Sequence, residues 1–317
     1  MNVLVTGADG FVGRWLLRRL LADGHVVTAA VRPTDPPSGG ALSEEERRAV
    51  RCVPLELLDA DSVRAAVDQP YDAVIHLAAV ASGSAAARDP GCAWTVNAAG
   101  TARVAAVLAA AKLAGRGDAL LLVVSTGEVY GRGPLVPRRE TDPAAPCSPY
   151  AASKLGAETA ALETWRRAGL RVVIARAFAH TGAGQDARFV VPAFAQRLKV
   201  ARKIGAPVVK VGALAPVREF LHVQDVVDAY ARLVVQGVPG EVYNVASGEG
   251  ISLEALFFRM ADLAGVRAIP EADPELLRLG DIPHLVGDAT KLRQTAGWAP
   301  RWSLDQTLRE VFDAQAD

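Results

Sequence analysis

The stretch that decides the fold is "VLVTGADGFVGRWLLRRLLADGH", residues 3–25. It begins with a short apolar run, continues through glycines spaced G-x-x-G-x-x-G, and ends in a segment whose apolar residues recur at helical spacing. Gly7, Gly10 and Gly13 permit a tight turn, let backbone N–H groups approach a pyrophosphate, and allow the helix to pack closely on the strand. The helix N-terminus also favours negative charge. The stretch therefore predicts a strand, a dinucleotide-binding turn and a helix.

Apolar runs recur along the first half of the chain, at 2–6, 26–31, 73–79, 119–125 and 171–177. They are apolar throughout rather than alternating, as expected for strands covered on both faces, so a parallel sheet is predicted. Segments long enough to cross back over that sheet as helices lie at 11–23, 60–68, 98–114 and 150–168. This order predicts an α/β, doubly wound parallel sheet of the Rossmann type.

After residue 178 the apolar runs and helical segments no longer alternate regularly. This change predicts a dinucleotide-binding domain over 1–178 and a smaller α/β substrate-binding region over 179–317. Segments near 220–247 are expected to return to the first domain. The second region reads as a helix, short strands and turns, another strand and another helix, at 189–203, 204–224, 241–248 and 252–264. Proline, glycine and charge at 32–48 predict a flexible surface loop.

The composition excludes several classes of protein. In 317 residues, half of them apolar, 35 Lys and Arg balance 35 Asp and Glu, so no long-range field attracts nucleic acid or an anionic membrane. Cys52, Cys92 and Cys147 are odd in number and far apart, which fits neither disulfides nor a metal site. With no signal peptide and no apolar run of about 18 residues, a cytoplasmic protein is expected.

The end of the second predicted strand bears on the choice of dinucleotide. An acidic residue that would bind the adenosine ribose is absent near Val31, and Arg32 follows, where a guanidinium can meet a 2′-phosphate. NADP(H) is therefore favoured over NAD(H). The alternative is that Arg32 is an ordinary solvated loop residue.

A tyrosine and a lysine lie one turn apart in "SPYAASK", residues 148–154. Ser148 as N-cap and Pro149 at the first position predict the start of a helix, so Tyr150 and Lys154 share one helical face. An ammonium near a phenol, together with an oxidised nicotinamide, stabilises phenolate, which makes Tyr150 a candidate proton donor. Thr126, at the end of a predicted strand, can bond the same substrate oxygen. Alone, the Tyr–Lys pair also fits a solvated helix face.

The motifs "TGADGFVG", "HLAA", "STGEVYG" and "SPYAASK" together resemble the extended short-chain dehydrogenase/reductases, a superfamily of nucleotide-sugar epimerases, dehydratases and reductases. The resemblance spans essentially the whole chain and implies a catalytic triad of Thr126, Tyr150 and Lys154. Glu56 replaces the aspartate that usually contacts the adenine, so that contact is less certain. Besides the glycines, Arg32, Tyr150 and Lys154, the cofactor-binding residues that it implies are Phe11, Val12, Glu56, Leu57, Leu77, Ala78, Ala79, Asn97, Ala177 and His180.

Three stretches of the second half, 176–198, 208–230 and 276–300, look like those of GDP-4-dehydro-6-deoxy-mannose reductases, with GDP-mannose 4,6-dehydratases as near relatives. This likeness implies that Arg218 and Arg278 clamp the substrate diphosphate, as suits bidentate guanidinium groups. It places Phe189, Val190 and Lys210 beside the nucleotide, and it implies a homodimer through 98–114 and 150–168. Ala179 and Ala213 depart from the family, which usually has asparagine at both places.

Glu128 stands where a dehydratase of the superfamily carries a base, but Gly127 replaces the acid that one subgroup uses. GDP-mannose dehydratases also lack that acid, so dehydration stays open. We expect reduction of the C4 ketone of a nucleotide-linked 4-keto-6-deoxyhexose, GDP-linked and yielding a product such as GDP-rhamnose, with Glu128 holding substrate or water. The alternatives are a 4,6-dehydratase, a 4-epimerase and, in a different class, a non-catalytic NAD(P)-binding regulator.

Overall fold

The computed structural model describes residues 1–33, 42–277 and 281–314. Its strands, in chain order, are β1 (Asn2–Thr6), β2 (Val26–Val31), β3 (Arg51–Pro54), β4 (Ala73–His76), β5 (Leu120–Thr126), β6 (Arg171–Ala177), β7 (His180–Thr181), β8 (Val208–Val211), β9 (Val217–Arg218), β10 (Leu221–His222), β11 (Val242–Val245), β12 (Ile251–Ser252), β13 (Ile269–Ala272) and β14 (His284–Leu285). Its α-helices are α1 (Phe11–Ala22), α2 (Glu44–Ala49), α3 (Ala60–Val67), α4 (Gly83–Arg88), α5 (Pro90–Trp94), α6 (Gly100–Leu113), α7 (Pro149–Ala168), α8 (Val190–Ile204), α9 (Val223–Gln236), α10 (Leu253–Ala264), α11 (Thr290–Ala296) and α12 (Leu304–Ala314).

Seven strands form the main sheet in the order β11-β6-β5-β4-β1-β2-β3, and every neighbouring pair in it is parallel. The chain leaves β1 in one direction toward β3 and then continues from β4 in the other direction. The carboxyl ends of β1 and β4 therefore meet at a topological switch point, which is where open α/β sheets bind ligands. The predicted doubly wound parallel sheet is confirmed.

Helices cover both faces of this sheet. Val3 and Val5 of β1 face a core shared with α1 and α9, whereas Leu4 between them faces a second core shared with α3, α6 and α7. Because both faces are buried, the strands are apolar at successive positions. A third core, away from the sheet, joins α8, α10 and α12.

Helix α7 begins and ends as the sequence predicts. The Ser148 hydroxyl accepts a hydrogen bond from the Ala151 backbone N–H at 3.1 Å, and Pro149 occupies the first turn. Gly169 ends the helix in the left-handed region, at φ 67°. These two ends set the length of α7.

The prediction of an unpacked loop over 32–48 is wrong for its second part. A capping box at Ser43 and Glu46 starts α2, and Leu42 before it is only 5% exposed. Arg18 of α1 donates to Glu46 at 2.6 Å, which ties α2 to the first helix. Residues 34–41 of the predicted loop lie outside the described residues.

Other element bounds differ from expectation. The strand predicted over 73–79 ends at His76, and β3 was not predicted, because "RCVP" lacks an apolar run at this edge of the sheet. The helix predicted over 98–114 starts earlier. Asp89 caps α5, and a π-helical turn, Thr95–Ala99, joins α5 to α6.

By length and hydropathy, the helical run Pro90–Leu113 passes the test for a membrane span. Core helices of globular proteins pass the same test. Here α6 packs against α3 and α7 beside the sheet, and Val104 and Leu108 are buried in the second core. Its apolar character is thus explained by the fold.

Candidate active site

The glycine turn forms a cradle at the carboxyl end of β1. A side chain at Gly7 would put its Cβ 2.9 Å from the Ala78 backbone, and one at Gly13 would overlap the Gly7 carbonyl oxygen. The turn therefore lies directly against the segment after β4, and α1 starts at once after Gly10. Such a side-chain-free cradle at a helix N-terminus fits the pyrophosphate of a dinucleotide.

A cleft of about 1160 Å³ begins at this turn and runs past the carboxyl ends of the main sheet toward α8 and β9. It brings together residues that lie more than 200 positions apart in the sequence, such as Gly7 and Arg218. The predicted site residues in its wall are Gly7, Gly10, Phe11, Val12, Gly13, Arg32, Glu56, Leu57, Leu77, Ala78, Ala79, Thr126, Glu128, Tyr150, Lys154, Ala177, His180, Phe189, Val190 and Arg218.

The three residues of the implied triad converge in the middle of the cleft. Thr126 ends β5, and its side chain is in hydrogen-bond contact with the Tyr150 hydroxyl. The Lys154 ammonium donates to the Val124 carbonyl oxygen at 2.8 Å. One helical turn of α7 and the last residues of β5 are thus sufficient to assemble the group.

The electrostatics of this group keep Tyr150 protonated in the chain alone. Burial and the nearby Glu128 carboxylate raise the pKa of Tyr150, and the Thr126 hydrogen bond opposes this only in part. Burial lowers the pKa of Lys154 to about 8, against the Glu158 carboxylate, which raises it. The expected acidification of Tyr150 by Lys154 is not seen here, so a phenolate at neutral pH would need a further positive charge nearby.

At the end of the cleft next to β2, Arg32 interacts with two carboxylates. Its Nε is 3.6 Å from Oε2 of Glu56, and the Arg32 side chain is 72% exposed. Glu56 also accepts from the Leu58 backbone N–H at 3.0 Å. Asp9, within the glycine turn, lines the cleft and interacts with Arg32, while burial raises its pKa. The sequence analysis did not single out Asp9.

Of the predicted residues that the structure describes, Asn97 and Lys210 do not line the cleft. Asn97 is buried behind it and bonds both backbone groups of Val80, at 2.8 and 3.2 Å, so it supports the wall rather than lining it. Lys210 is exposed and pairs with Glu271 at 2.6 Å. Arg278 lies outside the described residues.

The far end of the cleft contains the predicted diphosphate ligand Arg218. Its guanidinium donates to Asp281 at 2.6 Å and to the Val217 carbonyl oxygen at 2.8 Å. Ala179 and Ala213, the two departures from the family pattern, both line this cleft. The wall also holds charged residues that no local motif indicated, namely Arg14, Asp186, Arg188, Arg197 and Asp281.

His180 is a neutral structural member of the wall. Its Nδ1 lies 2.9 Å from the Phe178 carbonyl oxygen, and its ring stacks on Phe11 with centroids 6.4 Å apart. Burial lowers the pKa of His180. It therefore contributes a flat, uncharged surface between the glycine turn and the loop after β6.

The sequence pattern of the NAD dependent epimerase/dehydratase family matches residues 3–246, a span that contains the glycine turn, the triad and Arg218. The chain belongs to this family. That membership confirms the resemblance to the extended short-chain dehydrogenase/reductases.

Within the NAD dependent epimerase/dehydratase family, relatives with different activities are similar to this chain. GDP-6-deoxy-D-mannose reductase of Pseudomonas aeruginosa is 33% identical over 98% of this chain and 96% of its own length. UDP-glucose 4-epimerase of Mycolicibacterium smegmatis is 32% identical over 99% of this chain and 98% of its own. The structure of RMD from Pseudomonas aeruginosa complexed with NADPH superposes with a TM-score of 0.80 at 32% identity, covering 99% of this chain and 98% of that one.

Proposed function

We propose that this protein is an NADP(H)-preferring reductase of a nucleotide-linked 4-keto-6-deoxyhexose, most specifically of a GDP-linked sugar such as GDP-4-dehydro-6-deoxy-mannose, giving GDP-rhamnose. The observation that carries the proposal is the hydrogen-bonded pair of Thr126 and a protonated Tyr150 in the middle of the cleft. The similarity to GDP-6-deoxy-D-mannose reductase over nearly the whole chain supports the substrate class.

The residues divide the chemistry between them. The Thr126 hydroxyl orients the ketone oxygen, and Tyr150 donates its proton to that oxygen as negative charge develops there. The glycine turn would hold a reduced dinucleotide, which would supply the hydride for C4. Lys154 would hold the nicotinamide ribose and stabilise the resulting phenolate until a solvent proton restores the phenol. One ketone therefore becomes one alcohol for each dinucleotide oxidised.

The Gly127 backbone favours reduction over the dehydratase chemistry that needs an acid at this place. A Cβ at Gly127 would lie 2.9 Å from three ring carbons of Phe178, so an acidic side chain has no room there. Glu128 remains, with its backbone N–H donating to Thr126 Oγ1 at 3.2 Å and its carboxylate acting on Tyr150. We assign Glu128 to holding substrate or active-site water.

We further propose that Arg32 selects NADP(H). Its exposed guanidinium stands after β2, where a 2′-phosphate would be bound, and no acidic residue occupies the end of that strand. The Glu56 carboxylate, at 3.6 Å, would hold Arg32 toward the cleft in the free protein. The NADPH complex of RMD from Pseudomonas aeruginosa supports this choice.

A 4-epimerase is the second candidate, because UDP-glucose 4-epimerase of Mycolicibacterium smegmatis is nearly as similar in sequence. The experiment is to incubate the purified protein with GDP-, UDP- and dTDP-linked 4-keto-6-deoxyhexoses and hexoses, with and without added NADPH. Stoichiometric loss of NADPH with a GDP-linked ketosugar supports the reductase. Turnover of a hexose without added NADPH identifies an epimerase or, if water is lost, a 4,6-dehydratase of the GDP-mannose type.

We also propose a homodimer formed by two copies of the α6–α7 face. An apolar groove of about 850 Å³ lies between these helices and is open to solvent. Six of the residues that line it are alanine or glycine, and Glu163 and Arg167 add a charge of each sign. A second copy related by a twofold axis would place small residues against small residues, which lets helices approach closely.

A further inference from the structure

Behind the catalytic group lies a buried carboxylate that the reaction described above does not use. Glu158 follows Lys154 by four residues and Tyr150 by eight, so all three stand on one face of α7. Glu158 is only 2% exposed. It lies next to the catalytic residues but outside the cleft wall.

Glu158 connects α7 to the two central strands. Its Oε1 accepts from the Ser125 hydroxyl at 2.5 Å, one residue before Thr126. The Arg176 guanidinium of β6 donates to it at 3.0 and 2.7 Å and also covers the Tyr130 ring, 4.8 Å from its centroid. The carboxylate thus fixes the strand end that carries Thr126.

A buried ion pair is a weak source of stability. Removing two charges from water costs several kcal/mol, roughly what their attraction returns, and apolar replacements of similar size are often as stable. The Glu158–Arg176 pair is therefore poorly explained as a stabilising contact alone. Its position beside Lys154 and Thr126 points to a role in the site.

We propose that Glu158 is a positioning residue that keeps Lys154 charged and holds Thr126 in line with Tyr150. The inference rests on the proposed roles of Tyr150 and Lys154. It does not depend on which sugar nucleotide is bound, since Glu158 itself does not line the cleft.

The other charged or titratable groups around Lys154 do not replace this effect. His76 of β4 faces Lys154 but is neutral, because burial lowers its pKa to about 3. Glu128 acts on Tyr150 instead, and Arg176 is neutralised by Glu158. Among these groups, Glu158 is the one that raises the pKa of Lys154 against the effect of burial.

Removing the Glu158 carboxylate should lower the pKa of Lys154. With Glu158→Gln, the carboxylate is lost and Arg176 is left without a counter-charge, so the pKa of Lys154 falls below its value of about 8. A lysine that must be protonated loses its effect as pH rises through its pKa. The alkaline limb of kcat/KM should therefore move to lower pH, by about one unit.

The experiment compares pH profiles of kcat/KM for wild type, Glu158→Gln, Glu158→Asp and Ser125→Ala. We expect the shift in Glu158→Gln, partial rescue in Glu158→Asp, and a lower kcat without a shift in Ser125→Ala. Glu46→Gln is the matched control, because it removes a buried carboxylate paired with Arg18 outside the cleft. Circular dichroism and dinucleotide titration establish that each variant is folded.

A second measurement separates failure of this inference from failure of the proposed function. Competitive acetylation with mass spectrometry follows the protonation of Lys154 directly and needs no turnover. A lower labelling pKa of Lys154 in Glu158→Gln supports the inference even if no ketosugar is reduced. An unchanged labelling pKa together with an unshifted pH profile in a folded variant would overturn it.

Discussion

At the scale of single residues, the hydroxyl of Tyr150 is the group on which the proposed reaction depends. Burial and Glu128 keep it protonated, which suits a donor to a ketone oxygen but not a base that must start as phenolate. The charge it needs to ionise would come from the oxidised dinucleotide after reduction. This order of charges fits a reductase whose cofactor arrives reduced and leaves oxidised.

Tyr150→Phe should lower kcat by about a thousandfold, since a general acid contributes roughly 10² to 10⁴. The affinity for NADPH should change little, because the phenyl ring stays in the cleft wall. Steady-state kinetics and a fluorescence titration of NADPH measure the two effects. Unchanged reductase activity in this variant would show that the Tyr150 hydroxyl is not the proton donor.

Arg32→Ala should raise the KM for NADPH by about tenfold or more and leave that for NADH nearly unchanged. A charge-assisted hydrogen bond to the 2′-phosphate contributes about 1.5–3 kcal/mol, and NADH lacks that phosphate. Arg18→Ala, a cation of the same domain outside the cleft wall, serves as the control. Equal effects on both cofactors would contradict a role for Arg32 in selectivity.

Residues joined by local spacing were the easiest to predict from sequence. Tyr150 and Lys154 are one helical turn apart, so an N-cap at Ser148 was enough to place them together. Whether Lys210 and Asn97 line the cleft depends on how segments distant in the sequence pack together. The strand β8 turns Lys210 toward Glu271, and the π-helical turn points Asn97 at Val80, neither of which leaves a trace in the local sequence.

At the scale of elements, the strand–turn–helix unit formed by β1 and α1 is the clearest sequence signal, and its glycines pack directly against backbone. Strands buried on both faces were predicted well because their apolar runs are continuous. The edge strand β3 and the short helix α2 were missed. Both lie at the margin of the sheet, where burial leaves little pattern in the sequence.

Gly13→Ala should destabilise this unit by about 1–3 kcal/mol, as overpacking does, because the new Cβ meets the Gly7 carbonyl oxygen. Dinucleotide binding should weaken with it, since the same turn forms the cradle. Gly117→Ala is the control, having no atom within 4 Å of the added Cβ. Thermal unfolding without NADPH measures the loss of stability, and the rise in Tm on adding NADPH measures binding. Equal Tm values for the two variants would argue against the close contact.

At the scale of the whole molecule, the cleft lies between the carboxyl ends of the main-sheet strands and the third core. Its far end is built from α8, β9 and the segment before β14, which are distant in sequence. The first half of the chain could therefore be assigned from its motifs, whereas the substrate end needed the fold. Resemblance to the family predicted Arg218 as a site residue, whereas its hydrogen bond to Asp281 could be seen only in the structure.

The outer face of α6 and α7 should form the proposed dimer, and a charge in the groove should break it. Ala160→Glu places a carboxylate among apolar side chains, where an unpaired charge is costly to bury. Light scattering after gel filtration should give twice the chain mass for wild type and the chain mass for this variant. Val235→Glu on α9, where Val235 is 64% exposed outside the groove, should remain a dimer. A wild type that elutes at the chain mass would show that two copies do not join through this groove.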